Sequence, residues 1–457
     1  MGMYDLSSMF HNFYKKEVVL PRTEKTKLFE KKDLNLKRLK DGLAEYNTEK
    51  GTDYKVAESI VQGSVAMATV IKNEENDYDI DVAVVFEKDK IPDGTQSVKN
   101  FVVEALKKKC TTFKVAPHAK TNCVRIVYAD GYHIDFAIYR RFKDDEGNYQ
   151  YEHCGSQWRK RDPKAITAWF IKENKDKNYQ LRELVRLLKM FSRSRDHWEM
   201  PGGLVQSVLT NEKYADSYSR IDERFYHTLL AIKDRLAENM DVVNPTDSSQ
   251  TLRLIQKDDV RINNLYNRLV TYLAKLDILF ESSCTKEQAL EAWHSFFNHD
   301  FWSEEGAQET VSKSMSLAYL SESEDDQVYK ETEEFIEYLY PIDLKYDVRL
   351  DCTVTQDGWR PAFLRALLRN NERLKPNKKL DFSATTNVPY PYEVYWKVKN
   401  KGVVAKQKDQ IRGQVIRTNS LAHTEHTRFK GEHFVECYIV KNGVCVARDK
   451  IEVPITN

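Results

Sequence analysis

Two aspartates, Asp79 and Asp81, open the β-branched, apolar run DIDVAVVF (79–86). A strand repeats every two residues, so both carboxylates point to one face of the sheet that the run joins. Neighbouring anions repel each other, and withdrawing them from water costs more still. A divalent cation relieves both problems, and Mg2+ prefers carboxylate oxygen while keeping positions open for phosphate. A third carboxylate, Asp135, lies in a second strand-like run, YHIDFAIY (132–139), with Ile134 and Phe136 on its other face. If the two strands pair in register, three carboxylates converge. Such a cluster can hold two metals about 3.5–4 Å apart, the arrangement used for in-line phosphoryl displacement. The competing reading of an isolated Asp-x-Asp is solvated charge at a strand end. Asp77, two residues earlier, is the alternative partner for the pair; the reading preferred here makes it a solvated or outlying residue.

Gln62-Gly63-Ser64 directly precedes this region, with Ser64 fifteen residues before Asp79. Glycine lets backbone amides approach a triphosphate closely, and the serine hydroxyl adds a hydrogen bond. Alone, Gly-Ser is an ordinary turn; ahead of an Asp-x-Asp strand it is a candidate phosphate-holding element. Trp158, before Arg159, Lys160 and Arg161, is either a base-stacking residue beside phosphate-binding cations or a core tryptophan flanked by solvated charge. Walker A, Rossmann, HExxH and Gly-x-Ser-x-Gly patterns are absent. His423, His426, His433 and Cys437 have zinc-ligand chemistry but no standard zinc spacing, so no zinc is expected there.

The elements that must position these residues follow from periodicity. Residues 23–60 read as helical, including VAESIV (56–61), with Leu36, Leu39, Leu43 and Tyr46 at helical spacing. NCVRIVY (122–128) and YHIDFAIY form a hairpin around Ala129-Asp130-Gly131, and VKNFVVEALKKKC (98–110) reads as an amphipathic helix. Residues 162–300 read as helical, with Asp162-Pro163 as a cap and Leu181, Leu184, Val185, Leu188 and Phe191 as one stripe. Residues 303–334 are acidic, polar and poor in large apolar side chains, which reads as a linker or a weak helix. Beyond 341 the pattern is β: Tyr392, Val394, Trp396 and Val398 share a face, and Asn442-Gly443 separates two alternating runs.

The expected fold class is α+β with a C-terminal all-β sandwich. The expected divisions are a catalytic core with an N-terminal helix over 1–160, a helical lobe over 161–302, a linker over 303–340 and a β-rich domain over 341–457. At 457 residues the chain is too long for one core. The formal charge of +1 argues against an extended nucleic-acid surface. Seven cysteines without a C-x-x-C pair suggest free thiols in a reducing compartment. No apolar run approaches membrane-spanning length and the N-terminus has no apolar signal core, so membrane insertion and secretion are not expected.

The order QGSVAMAT (62–69), DIDVAVVF (79–86), HIDFAIY (133–139) resembles the polymerase-β-like nucleotidyltransferases. Within them the chain is similar to the bacterial relatives of cyclic GMP-AMP synthase and oligoadenylate synthase. FHNFYKKEVVLP (10–21), WRKRDPKAITAWF (158–170), LRELVRLLKMF (181–191) and HWEMPGGLVQSVLTNE (197–212) carry this second resemblance. The segments WKVKNKG (396–402), IRGQVI (411–416) and FKGEHFVECYIVKNGVCVARD (429–449) resemble the β-rich sensor domain of the adenylyl/guanylyl cyclase and SMODS-associated type.

The resemblance implies that Asp79, Asp81 and Asp135 bind two Mg2+, with Mn2+ as a substitute, and that Asp135 activates the attacking hydroxyl. It implies that Gln62, Gly63, Ser64 and Lys189 hold the triphosphate of ATP or another nucleoside triphosphate. The implied activity is synthesis of a cyclic di- or trinucleotide messenger in the bacterial cytoplasm, in anti-phage signalling. A downstream effector would respond to the product, and the C-terminal domain would regulate the enzyme or take a ligand. Transfer of one nucleotide to a protein, RNA or small molecule, or non-catalytic nucleotide sensing, are the rival readings. One departure stands out: relatives often place a serine after the proline of the fourth segment, where Pro201 here precedes Gly202 and Gly203.

Overall fold

The β-branched runs that carry the acidic residues form the centre of a seven-stranded sheet. The computed structural model describes residues 2–73, 77–303, 336–340, 342, 344–355, 361–370, 372–376, 378–400, 412–427 and 430–456. The chain divides into two compact units, Met1–Met315 and Ser316–Asn457. The expected linker lies almost wholly outside the described residues, as do parts of the 396–402, 411–416 and 429–449 segments.

The first unit opens with α1 (Ser7–Phe13), extended by a π-helical turn over Tyr14–Val18. The long helix α2 (Arg22–Lys50) stops at Gly51, whose φ of +67° places it in the left-handed region used for C-terminal caps. Here the structure differs from the sequence expectation. Residues 56–61 are not helical; β1 (Glu58–Gln62) runs antiparallel to β2 (Tyr78–Glu87). Pairing with a β-branched neighbour and burial of Ile60 and Val61 outweigh the weak helical propensity of the segment. A single turn, α3 (Gly63–Ala66), follows β1. Beyond β2 come α4 (Thr95–Lys109), β3 (His118–Ala119), β4 (Val124–Val127), β5 (Tyr132–Lys143), β6 (Tyr149–Cys154) and β7 (Trp158–Lys160).

The strand order is β1-β2-β5-β4-β3, with β6 joined to β5 and β7 to β6. β4 and β5 form the expected hairpin. The even-numbered residues of β2, Ile80, Val82, Val84 and Phe86, are fully buried, with Phe86 edge-on to Phe101 of α4 at 5.5 Å. On the other face Ala83, Val85, Ile60 and Tyr139 make a smaller apolar cluster. Asp79 and Asp81 continue that second face by the parity of the strand.

The helical lobe comprises α5 (Ala165–Asp176), α6 (Leu181–Ser192), α7 (Gly203–Glu212), α8 (Ile221–Glu238), α9 (Gln256–Ala274) and α10 (Lys286–Phe297). A short hairpin, β8 (Val243–Asn244) with β9 (Asp247–Thr251), interrupts it. The expected cap at Asp162-Pro163 is displaced. α5 starts at Ala165, and Asp162 accepts from the Lys164 amide in a turn just outside the helix. The α6 stripe is buried as expected, every one of Leu181, Leu184, Val185, Leu188 and Phe191 being at most 1% exposed. Phe10 and Phe13 of α1 pack edgewise and tilted onto Trp293, Phe297 and Trp302, so the N-terminal helix completes the core of this lobe.

The second unit is a sandwich of two four-stranded antiparallel sheets. One has β10 (Val348–Thr355), β11 (Ala362–Phe363), β12 (Lys379–Thr386) and β15 (Ala422–His426). The other has β13 (Glu393–Lys399), β14 (Arg412–Arg417), β16 (Gly431–Lys441) and β17 (Val444–Ile455). Leu350 and Phe382 from one sheet share a core with Trp396, Cys437 and Ile451 from the other. Asn442 and Gly443, at φ +52° and +71°, make the two-residue turn of the β16–β17 hairpin. Among the described residues no helix is long and apolar enough to cross a membrane. None of the seven cysteines is in a disulfide, and five of them are buried.

Candidate active site

Register brings the acidic residues together. β2 and β5 run parallel with Asp81 opposite Asp135 and Asp79 opposite His133. The same level continues outward on both sides, because Gln62 of β1 is opposite Asp81 and Arg125 of β4 is opposite Asp135. Gln62, Asp81, Asp135 and Arg125 therefore form one row across four strands, on the face where Asp79 stands two residues away. Three carboxylates on adjacent strands raise each other's energy. Burial, then Asp135 and Asp79, push the Asp81 carboxyl up to about 6. Asp79 is also raised, chiefly by burial, with Arg125 opposing.

The compensation comes from Arg125. Its Nε donates to Asp135 Oδ1 at 2.7 Å and its Nη2 to Asp135 Oδ2 at 2.6 Å, a bidentate pair that also reaches Asp79 Oδ1 at 3.2 Å. His133 Nδ1 stands 3.2 Å from Asp79 Oδ1 and 3.3 Å from Asp77 Oδ1. Asp81 forms no ion pair among the described residues, and its carboxylate lies against Gly63. A Cβ at position 63 would fall 2.2 Å from Asp81 Oδ2, and Gly63 has φ +63°, so both space and backbone require glycine.

Three hard oxygen donors on one face, one of them without a counter-charge, suit a divalent cation by chemistry. As the side chains stand, no group of three or more acidic, histidine or cysteine residues among the described residues closes on a common point. Two of the three carboxylates are turned to the guanidinium instead.

The α3 turn is held from the other lobe. Arg182, Arg186 and Lys189 lie at successive turns of α6 and grip three consecutive carbonyls. Arg182 Nε donates to Met67 O at 3.0 Å, Arg186 Nη2 to Ala68 O at 2.5 Å, and Lys189 Nζ to Thr69 O and Oγ1 at 3.0 Å each. Burial, reinforced by Arg193 and Arg186, pushes the Lys189 ammonium down to about 7, with Asp81 acting the other way. Gly203, the first residue of α7, leaves room for this lysine, since a Cβ there would meet Lys189 Cε at 2.8 Å and Nζ at 2.9 Å. A Cβ at Gly202 would meet nothing within 4 Å. The structure thus accounts for the second glycine of Pro201-Gly202-Gly203 by the lysine packed over it.

Gln62 is committed locally: its Nε2 donates to the Pro163 carbonyl at 2.7 Å, tying β1 to the start of α5. Ser64 sits in the α3 turn beside Gly63, and its carbonyl accepts from the Thr69 amide. Trp158 is on a strand, with Arg140 stacked 4.2 Å from its ring and its indole donating to Asp93 O. His423 stacks on Trp396 and pairs with Glu425 at 2.8 Å, away from any convergence with His426, His433 and Cys437. The sequence reading did not find Arg125, Arg182 or Arg186. Arg125 has a signal, a charged residue between Val124 and Ile126 on a strand whose partner carries Asp135. Arg182 and Arg186 have another, their place in a cationic stripe with Lys189 at spacings of four and three.

A sheet that brings an acidic pair into parallel register behind a glycine-serine turn, with a helical lobe attached, is the core of a polymerase-β-like nucleotidyltransferase. Comparison with known proteins narrows the class. Residues 57–139 match the family described as cyclic GMP-AMP synthase DncV-like, nucleotidyltransferase domain. Residues 330–456 match the adenylyl/guanylyl and SMODS C-terminal sensor domain. A cyclic GMP-AMP synthase of Escherichia albertii is 25% identical over 415 residues, covering 86% of this chain and 83% of that protein.

Among solved structures, Vibrio cholerae DncV cyclic AMP-GMP synthase with the linear intermediate 5′ pppA(3′,5′)pG superposes with a TM-score of 0.52. It is 16% identical, covering 65% of this chain and 97% of that one. Escherichia coli MS115-1 CdnC with ATP gives a TM-score of 0.50 at 14% identity, covering 65% and 98%. At such identities the superpositions speak to the fold. The chain is thus a nucleotidyltransferase that resembles the DncV-like enzymes over residues 57–139 and a C-terminal sensor domain over residues 330–456.

Proposed function

We propose that this nucleotidyltransferase joins nucleoside triphosphates into a cyclic di- or trinucleotide messenger. The observation that carries the proposal is the row formed by Asp81 and Asp135 in parallel register, with Asp79 on the same face and Gly63 against Asp81. On this reading Asp79, Asp81 and Asp135 hold two divalent ions, Mg2+ or Mn2+. When bound, the ions neutralise phosphate charge and favour ionisation of the attacking hydroxyl.

This chain's own groups do the rest. Gly63 and Ser64 hold the donor triphosphate in the turn, and Lys189 sets a cation beside it. Gln62 fixes the turn through Pro163, while Arg182 and Arg186 fix its far end through the Met67 and Ala68 carbonyls. Asp135 orients the acceptor hydroxyl for attack on the α-phosphorus, and pyrophosphate leaves. A second round on the linear product closes the ring. The activities of the relatives, cyclic GMP-AMP and cyclic AMP-GMP synthesis, support this product class. A cytoplasmic role in bacterial anti-phage signalling through a product-activated effector belongs to the same proposal, as does control through the C-terminal domain.

The test is incubation of the purified protein with α-labelled ATP, GTP, CTP and UTP and either metal, followed by phosphatase and chromatography. A phosphatase-resistant product that Asp79→Ala, Asp81→Ala cannot make supports oligonucleotide synthesis, and a mass lower by one water than the dephosphorylated linear product shows that the ring has closed. A labelled protein or RNA points to single-nucleotide transfer instead, and a resistant product with the mass of the dephosphorylated linear oligonucleotide points to linear synthesis.

A further inference from the structure

Arg125 is the one strong cation in the acidic row. Its guanidinium takes up both oxygens of Asp135 and one of Asp79, at 2.6–3.2 Å. Those are the oxygens that the function proposed above assigns to metal. A divalent ion of the Mg2+ type needs its ligands at about 2.0–2.1 Å. One carboxylate face cannot serve a bidentate guanidinium and such an ion together, and the two cations repel. Arg125 cannot give way by backbone movement, because β4 is pinned between β5 and β3 in an antiparallel ladder. Its side chain keeps some solvent exposure, 20%, and has the rotatable length to swing outward.

We propose that Arg125 is an exchangeable counter-ion, holding Asp79 and Asp135 together in the metal-free enzyme and leaving them when divalent metal enters. The inference rests on the metal role proposed for the three aspartates. It makes Arg125 a positioning residue with two opposed effects. It keeps like charges in place before substrate arrives, and it raises the metal concentration at which the site assembles. The displaced guanidinium stands beside the site, where a triphosphate supplies it with a new anionic partner. Metal and nucleotide therefore favour each other's binding.

Mn2+ binding without nucleotide, followed by electron paramagnetic resonance on the full-length protein, tests this. Four proteins are compared: wild type, Arg125→Met, Arg125→Lys and Asp79→Ala, Asp81→Ala. Removing a bidentate charge-assisted pair should tighten Mn2+ binding about tenfold in Arg125→Met. Arg125→Lys keeps the charge but loses the fork, and should fall between. A non-hydrolysable ATP analogue should tighten Mn2+ binding more in the wild type than in Arg125→Met. A merely structural arginine would show the opposite, weaker metal binding on its removal. Equal or weaker Mn2+ affinity in a folded Arg125→Met overturns the proposal. Should that variant not fold, an Arg125→Lys no tighter than wild type overturns it equally. Wild type and the double aspartate variant binding Mn2+ alike would overturn the metal role itself, and this inference with it.

Discussion

Replacing Asp81 by asparagine should stabilise the metal-free enzyme while abolishing its chemistry. Asp81 is packed against Gly63 with Asp79 and Asp135 as neighbours and makes no ion pair among the described residues, so its ionised form is strained in the fold. Its carboxyl titrates at about 6 instead of 3.8. At ~1.4 kcal/mol for each pH unit between those values, the ionised form costs the folded state up to ~3 kcal/mol. The sign follows from linkage. For an acid whose folded-state value is raised, the penalty is absent below about pH 3.8, grows up to about 6 and is complete above it. Asp81→Asn should therefore gain most at pH 7.5 and less at pH 5, both in EDTA. Urea unfolding followed by tryptophan emission reads mainly the first unit, which holds five of the seven tryptophans. Added Mn2+ should stabilise the wild type and leave the variant unmoved, closing the gap. A variant no more stable than wild type at pH 7.5 in EDTA would refute the reasoning, because burial beside like charges would then have no energetic consequence.

Other expectations follow from the same geometry. Gly63→Ala puts a Cβ 2.2 Å from Asp81 Oδ2 at a positive φ, which alone costs about 1–2 kcal/mol; Mn2+ binding should be lost before global folding is. Gly203→Ala should displace Lys189 and weaken ATP binding measured by calorimetry, whereas Gly202→Ser, in open space, should leave it unchanged. Lys189→Met should weaken ATP binding about tenfold or more. Because burial holds Lys189 near 7, triphosphate binding at pH 8 should take up a proton, and wild-type affinity should fall as pH rises above 7; proton uptake persisting in the variant would count against its role. In the second unit, Arg412 and His423 hold Glu425 down at about 2 despite burial. That stability is present above pH 4.5 and lost as pH falls toward 2. Glu425→Gln should lower it by ~2 kcal/mol at pH 7, read by hydrogen exchange in β12 and β15.

Much of the fold was legible because burial imposes its period on the chain. The alternating runs became β2, β5, β13, β16 and β17; the α6 stripe became the floor of the helical lobe; Asn442-Gly443 became the hairpin it encodes. The error at 56–61 came from the same source: six residues are too few for periodicity to separate a strand from the tail of a long helix, and the neighbour that decides is β2, some twenty residues on. The capping error at Asp162-Pro163 arose because Asx turns and helix caps share residue types.

By itself the sequence determined which residues could do chemistry: Asp79 and Asp81 on one strand face, Asp135 on another, and a glycine-serine turn ahead of them. Parity within a strand is a local property, so one face could be assigned without a partner. Only the tertiary structure decided that β2 and β5 run parallel with Asp81 opposite Asp135, since register is set by strands more than forty residues apart. Only it placed Arg125 across that pair and laid Arg182, Arg186 and Lys189 along the carbonyls of 67–69. Cations find anions and carbonyls through space, and nothing in their spacing along the chain says which.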